Sequence, residues 1–465
     1  MDLVVRGGTV VTPGGCTVAD IGVADGRIVQ LGGRMTAAQV VDAGDKLVLP
    51  GGVDMHVHLS PALVAEGDFW WADDFGSGSR AAAAGGVTTV GNITFPVRDE
   101  PVLGALARTT AEAQASSLAD FVLHPVITAA PDDPAALARD LAADGCVSVK
   151  MFTHLAGFTA SPARYLDLIA AVARHDLTVM AHCEDPVLGE YASGRAASQA
   201  PGDPAAYYPP DGIEVAAVAR MAEIAAATGA RIYLVHLASS RSAELALAAR
   251  ARGARLLLET RPEYLLLTDD ELAAAAGQQP ACGPAGRGPA DLDRLWQAVS
   301  GGRFDAICTD HAPWREAPGQ LPASGARSVR SGLSCLELSR SLLFAKGVLT
   351  GRITLPQLAE LTAAGPARAF GLYPAKGVIA VGSDADLAVF DPAAHWRYAG
   401  GQSRAEWTPF DGWAVTGRTL LTIRRGTITY RHEDGFAEGG GQRLRRPGDS
   451  MTQADERARQ PEPSG

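Results

Sequence analysis

Eight short apolar segments, separated by alanine-rich helical stretches, restrict the fold of this chain more than any other feature. They fall at residues 53–59, 87–93, 120–127, 146–152, 176–183, 231–238, 254–259 and 304–310. The clearest helix between them, "DGIEVAAVARMAEIAAATGA", has a glycine near its end, where helices stop. Strands that alternate with helices form parallel sheets covered on both faces. Eight such units predict a (β/α)₈ barrel, with a doubly wound open sheet as the alternative.

Both chain ends read differently. "LVVRGGTVV", "IGVADGRIVQLGG" and "KLVLPGG" precede the barrel segments, and "DADLAVFDP" and "LLTIRRGTITY" follow them. All are β-like runs broken by glycine, and "ADGRI" has the form of a hairpin turn. Residues 1–50 and 377–440 are therefore expected to form one small β-sandwich domain beside a barrel at 51–376. Residues 441–465 are polar and are expected to be a disordered tail.

Composition narrows the setting. The chain has 465 residues, 47% hydrophobic and 20% charged, an ordinary globular balance. A net charge of −11 argues against nucleic acid or an anionic membrane as partner. "MDLVVRGGTV" lacks a basic stretch followed by an apolar one, so no secretory signal is expected; no bilayer-length apolar run is found, and the six cysteines show no CxxC spacing. A cytoplasmic protein with reduced thiols is expected.

In "GGVDMHVHL", strand alternation sets Val53, Met55, Val57 and Leu59 on one face and Asp54, His56 and His58 on the other. Buried polar groups need partners, and imidazoles find one in a metal ion; two hydrogen-bonded histidines at a strand end would read the same way. The other segments add weight. "CVSVKMF" carries Lys150, "LTVMAHCED" His182, "RIYLVHLASS" His236 and "FDAICTDHAP" Asp310. Catalytic groups in a barrel gather at the C-terminal ends of its strands, so these six residues are expected to converge.

Lys150 is the odd member, because an ammonium repels a cation. A buried lysine can be neutral, and a neutral amine can add CO₂ to become an anionic, two-oxygen carbamate. Arginine cannot. Of 41 basic residues only Lys46, Lys150, Lys346 and Lys376 are lysine, so a lysine inside an apolar strand is informative.

Together with "ETRPEYLLLT", "CTDHAPW" and "KGVIAVGSDADLAVFDP", these segments resemble the amidohydrolase superfamily. The match is to its cyclic amidohydrolase branch of dihydropyrimidinases, hydantoinases, allantoinases and dihydroorotases, over nearly the whole chain and in that branch's order. The resemblance implies a barrel with a β-sandwich built from both chain ends, and a homo-oligomer, dimer or tetramer. It implies two divalent metal ions, usually zinc. His56, His58 and Asp310 would bind one, His182 and His236 the other, and carboxylated Lys150 would bridge them. A metal-bridging hydroxide would attack a cyclic amide or imide, with Asp310 as general acid/base, and the same site could close a ring.

The match departs at the substrate. Leu59 and Ser60 stand where dihydroorotases carry a carboxylate-binding arginine, and "GNITF" replaces their "MPN". Leu155 stands where hydantoinases have an oxyanion-donating tyrosine, with Thr153 and His154 as nearby substitutes. Backbone contacts to the ring fall on Gly283 and Ser331. Leu63, Val64, Phe69, Trp70 and Trp71 suggest an apolar substituent on the substrate. Arg261, in place of a common cysteine, reads as a surface residue or a carboxylate binder. A divergent hydantoinase-like hydrolase is expected. The alternatives are an allantoinase-like enzyme, a hydrolase of linear amides or ureido groups, and a non-catalytic dihydropyrimidinase-like scaffold.

Overall fold

The computed structural model describes residues 1–60, 69–97, 99–199, 211–276, 288–316 and 332–446. Each of the eight apolar segments contains a strand: Gly52–Val57, Val87–Thr94, Asp120–Pro125, Ser148–Phe152, Thr178–His182, Ile232–Leu234, Leu256–Thr260 and Ala306–Ile307. The first three pair in parallel, as do the last five. Parallel bridges Val126–Lys150 and Val57–His311 join the two arcs, so the ring closes as a barrel rather than an open sheet.

Alternation sorts the side chains. Val149, Met151, Val179, Ala181, Ile232 and Leu234 face the surrounding helices and join the large outer core. Val122, Met180, Tyr233 and Cys308 pack in a separate cluster that fills the barrel interior. Gly91 belongs to this interior, where a Cβ would collide with His124 Nε2 and lie 2.8 Å from Met55 Cα.

The first strand departs from strict alternation. Val53 and Met55 pack with the interior cluster, whereas Val57 and Leu59 pack with the outer core. The expected single apolar face is thus split. The cause is a shift in pairing register with the second strand between Asp54 and Val57, which reverses the facing of the residues beyond it.

Strands from both ends form one nine-stranded sheet. Leu47–Pro50 pairs antiparallel with Leu387–Arg397 and parallel with Leu3–Thr12, joining N-terminal to C-terminal strands. The "ADGRI" turn closes a hairpin with Asp25 at φ 50° and Gly26 at φ 73°, the left-handed pair that such turns require. Lys376 ties this sheet to the barrel. Its Nζ lies 2.6 Å from Asp120 Oδ2 on the third barrel strand and 2.8 Å from Asp386 Oδ2. Arg340 bridges the same seam, donating to Gly86 O and Pro50 O.

The tail expected from residue 441 is structured through Arg446. Gln442 O accepts from Phe121 N and Leu444 N donates to Phe121 O, so this segment adds an edge beside the third barrel strand. Arg443 pairs with Asp144, and Arg446 with Asp176. Polar composition hid this order because arginines reach carboxylates and carbonyls at the barrel floor. Residues 447–465 lie outside the described residues.

Candidate metal centre

The barrel brings the six expected residues together. Lys150 is the middle residue of its strand and His182 the last of its own. His56 lies within the first strand and His58 just beyond it. His236 and Asp310 follow the sixth and eighth strands with φ 39° and 47°. That left-handed backbone costs a non-glycine residue of order 1–3 kcal/mol and persists only where the surroundings enforce it.

Two groups of potential ligand atoms result. Asp310 Oδ1 lies 3.1 Å from His56 Nε2 and 3.0 Å from His58 Nε2. Lys150 Nζ stands 3.1 Å from His56 Nε2. In the second group His236 Nε2 and His182 Nδ1 are 2.8 Å apart, with His236 stacked on His56 at 5.4 Å between ring centres. Ligands of a tetrahedral ion with bonds of ~2.0–2.1 Å sit about 3.3 Å from one another, close to the spacings seen here.

The donor chemistry fits cations. Glu259 Oε1 accepts from His56 Nδ1 at 2.8 Å, which leaves a lone pair on Nε2. That lone pair faces Asp310 Oδ1, a second acceptor. Two acceptors at this distance need a cation or proton between them. Burial holds the His58 imidazole down to about 4 and His236 well below its usual value, so both are neutral donors near pH 7. Burial works to raise the Asp310 carboxyl, but His56, Arg261 and His58 together hold it well below the carboxylate range. Burial also lowers Lys150 to about 8.

Sequence reasoning missed the residues that hold this set in place. Glu259 accepts from both His56 Nδ1 and the His236 backbone N–H, fixing two histidines at once. Its position at the end of the seventh strand was the available signal. Asp54, raised to about 7 mainly by burial, accepts from His56 N and Thr309 N and so links the first and eighth strands. Thr153 Oγ1 and the backbone N–H of Glu184 bond at 2.9 Å, locking the ends of the fourth and fifth strands together. Glu184 Oε2 lies 3.5 Å from His182 Nε2. His311 donates through Nε2 to Asp73 Oδ2, which also binds Ser403 and the Arg404 backbone.

Arg261 is a correction. It is neither at the surface nor open to a substrate carboxylate; it is wholly buried, 3.0 Å from Asp310 Oδ2. No sequence pattern distinguishes an arginine that turns inward onto a carboxylate from one that turns out.

The expected substrate contacts are placed in part. His154 is half-buried, its ring 4.9 Å from that of His182 and Nδ1 3.9 Å from Glu184 Oε2. Leu155 is half-buried at the start of the short helix Ala156–Ala160. Thr153 is committed to His182 O and Glu184 O, which removes it as an oxyanion donor. Trp71 packs on His58 with ring centres 4.5 Å apart. Gly283, Ser331, Leu63 and Val64 lie outside the described residues, as do the side chains of Phe69 and Trp70.

Residues 47–429 match the model of the amidohydrolase family. The chain is 31% identical to a D-hydantoinase of Ralstonia pickettii, over 92% of this chain and 95% of the relative. It is 33% identical to an allantoinase of Rubrobacter xylanophilus, over 92% and 94%. The solved D-hydantoinase (dihydropyrimidinase) of Thermus sp. superposes with a TM-score of 0.89 at 28% identity, over 96% of this chain and 99% of that one. The barrel, the cluster at its mouth and these likenesses agree: the chain belongs to the amidohydrolase family, in its cyclic amidohydrolase branch.

Proposed function

We propose that this chain is a metal-dependent hydrolase that opens a cyclic amide or imide ring and can close one where the equilibrium favours it. The observation that carries the proposal is the convergence of His56, His58 and Asp310 beside Lys150, His182 and His236 at the barrel mouth. Imidazole and carboxylate donors suit two zinc ions, which supply water acidic enough to ionise near neutral pH and a Lewis acid for the amide oxygen. His56, His58 and Asp310 would hold one ion, and His182 and His236 the other, and Lys150, as a CO₂-derived carbamate, would supply an anionic ligand between them.

The chain's own groups do the rest. Asp310 receives the proton of the attacking water and delivers it to the leaving ring nitrogen. Glu259 keeps His56 in the tautomer whose lone pair faces the ion. Leu155 cannot donate to a developing oxyanion, and a lost donor of that kind typically costs ~10²–10³ in rate. His154, whose Nδ1 makes no hydrogen bond among the described residues, is the donor proposed in its place. Trp71 against His58 supports an apolar ring substituent. Backbone contacts from Gly283 and Ser331 belong to the same proposal.

The residue ranges 1–50 with 377–440 and 51–376 remain the proposed domains. Among the described residues no helix is long and apolar enough to cross a membrane. Cytoplasmic residence and assembly as a dimer or tetramer are part of the proposal. Val187, Leu188 and Tyr191, exposed on helix Pro186–Gln199, offer apolar surface for a second copy.

The test is a substrate panel with metal-loaded enzyme: hydantoin, substituted hydantoins, dihydrouracil, allantoin, cyclic imides and N-carbamoyl acids. Ring opening of a substituted cyclic amide is expected, with hydantoin and dihydrouracil turned over below about 10⁴ M⁻¹s⁻¹ in kcat/KM. Preference for allantoin, or for the linear compounds alone, would select those alternatives. Inactivity on every compound with metal bound would overturn the proposal in favour of the scaffold reading.

A further inference from the structure

Arg261 lies wholly buried just beyond the strand Leu256–Thr260. Its Nη1 donates to Asp310 Oδ2 at 3.0 Å and its Nη2 to Glu263 Oε1 at 3.2 Å. The guanidinium carbon sits 5.2 Å from the centre of the Tyr264 ring. Glu263 and Tyr264 ride on the short helix Pro262–Leu266, whose first residue follows Arg261 directly. The planar fork is therefore fixed by a carboxylate at each end and an aromatic face.

A side chain with no exposure does not meet substrate. Toward the reacting centre it reaches Asp310. The carboxylate torsion of an aspartate is broad and two-fold, so nothing intrinsic decides where its oxygens point. Here Oδ1 is directed at His56 Nε2 and His58 Nε2, and Oδ2 is held by Arg261. We propose that Arg261 is a positioning residue for the metal centre: it clamps Oδ2 of Asp310 so that Oδ1 is presented to the ion bound by His56 and His58. This rests on the reading of Asp310 as a metal ligand. Lysine, a point charge, would reach one of the two carboxylates but could not span both.

The pairing supplies its own control. Arg261 and Glu263 together carry no net charge, so Arg261→Met/Glu263→Gln removes the clamp without changing the charge near the cations. The full-length double variant and its parent are loaded with cobalt(II) and compared. The proposal expects an altered visible spectrum and one of two cobalt ions lost to a chelator about tenfold faster, the loss typical of removing a ligand's supporting partner. The other ion leaves at the parental rate. On the best substrate kcat falls while KM holds, and Arg261→Lys recovers part of each effect. A parental spectrum and parental chelation rate in the double variant would overturn the proposal. Where that variant does not fold, Arg261→Lys carries the test: an altered spectrum supports the clamp and a parental one refutes it. Asp310→Asn separates the two layers. If it too leaves cobalt binding unchanged, the ligand reading fails; if it disturbs binding while the Arg261 variants do not, only the clamp falls.

Discussion

Two lysines are buried in this chain, and they are opposites. Lys376 lies in the seam between the nine-stranded sheet and the barrel, with Asp120, Asp386 and Asp384 at 2.6, 2.8 and 3.1 Å. Burial pulls its pKa down, but those three carboxylates outweigh burial and push it up. Lys150 is as deeply buried inside the barrel. Among the described residues no carboxylate comes within ion-pair reach of it; its near neighbour is His56 Nε2 at 3.1 Å, and burial lowers it to about 8. One site is built to keep an ammonium, the other to give it up. In a chain that otherwise uses arginine, each lysine marks a place where the amine itself matters, for charge in a narrow seam or for chemistry at the barrel mouth.

The comparison breaks most visibly at Lys150. Lys150→Ala removes the group proposed to bridge the ions, and turnover should fall by about 10³ or more, some 4 kcal/mol of barrier. Short carboxylates should restore part of it. Lys150→Arg should be as inactive, since a guanidinium neither loses its charge nor adds CO₂. Steady-state kinetics with and without added carboxylate checks both; a fully active arginine variant would dissolve the distinction between the two lysines.

At Lys376 the effect is on stability. Lys376→Met strands buried aspartates and should cost about 3–5 kcal/mol of unfolding free energy. Lys376→Arg keeps the charge and should cost far less. Denaturant titration reads the difference, and equal losses would show that packing rather than charge sets the requirement.

A smaller effect is the pH response. Lys376 has a raised folded pKa, so its stabilisation is fully present below the unfolded lysine value of about 10.4 and fades only as pH climbs through the folded one. Lys150 has a depressed folded pKa. Metal-free protein should therefore gain stability from it as pH rises from about 8 towards the unfolded value. Only the neutral amine adds CO₂, so at a fixed concentration of dissolved CO₂ metal uptake should quicken as pH rises towards about 8 and level off above it. A rate that keeps climbing well past that pH would contradict a lowered Lys150.

Sequence legibility divides along similar lines. The strands of the barrel were readable because each is a short apolar run bounded by helices, and the six polar residues at their ends stood out against that background. The sheet from both ends was readable from its glycine-punctuated runs. What was not legible depends on register and on long side chains. The shift between Asp54 and Val57 is a pairing event between strands, invisible in "GGVDMHVHL" alone. Arg261 and the segment 441–446 were misread for one reason: composition treats arginine as surface, whereas a fork that finds a carboxylate goes inside. Glu259 closes the apolar segment 254–259, but its two-way hold on His56 and His236 needed the fold.

Metal content tests the central claim most directly. Protein expressed with ample zinc and purified without chelators should carry about two divalent ions per chain by elemental analysis. Lys150→Ala, folded but lacking the bridge, should carry fewer. A reproducible zero in the parent protein, or full metal content in the Lys150→Ala variant, would contradict the account.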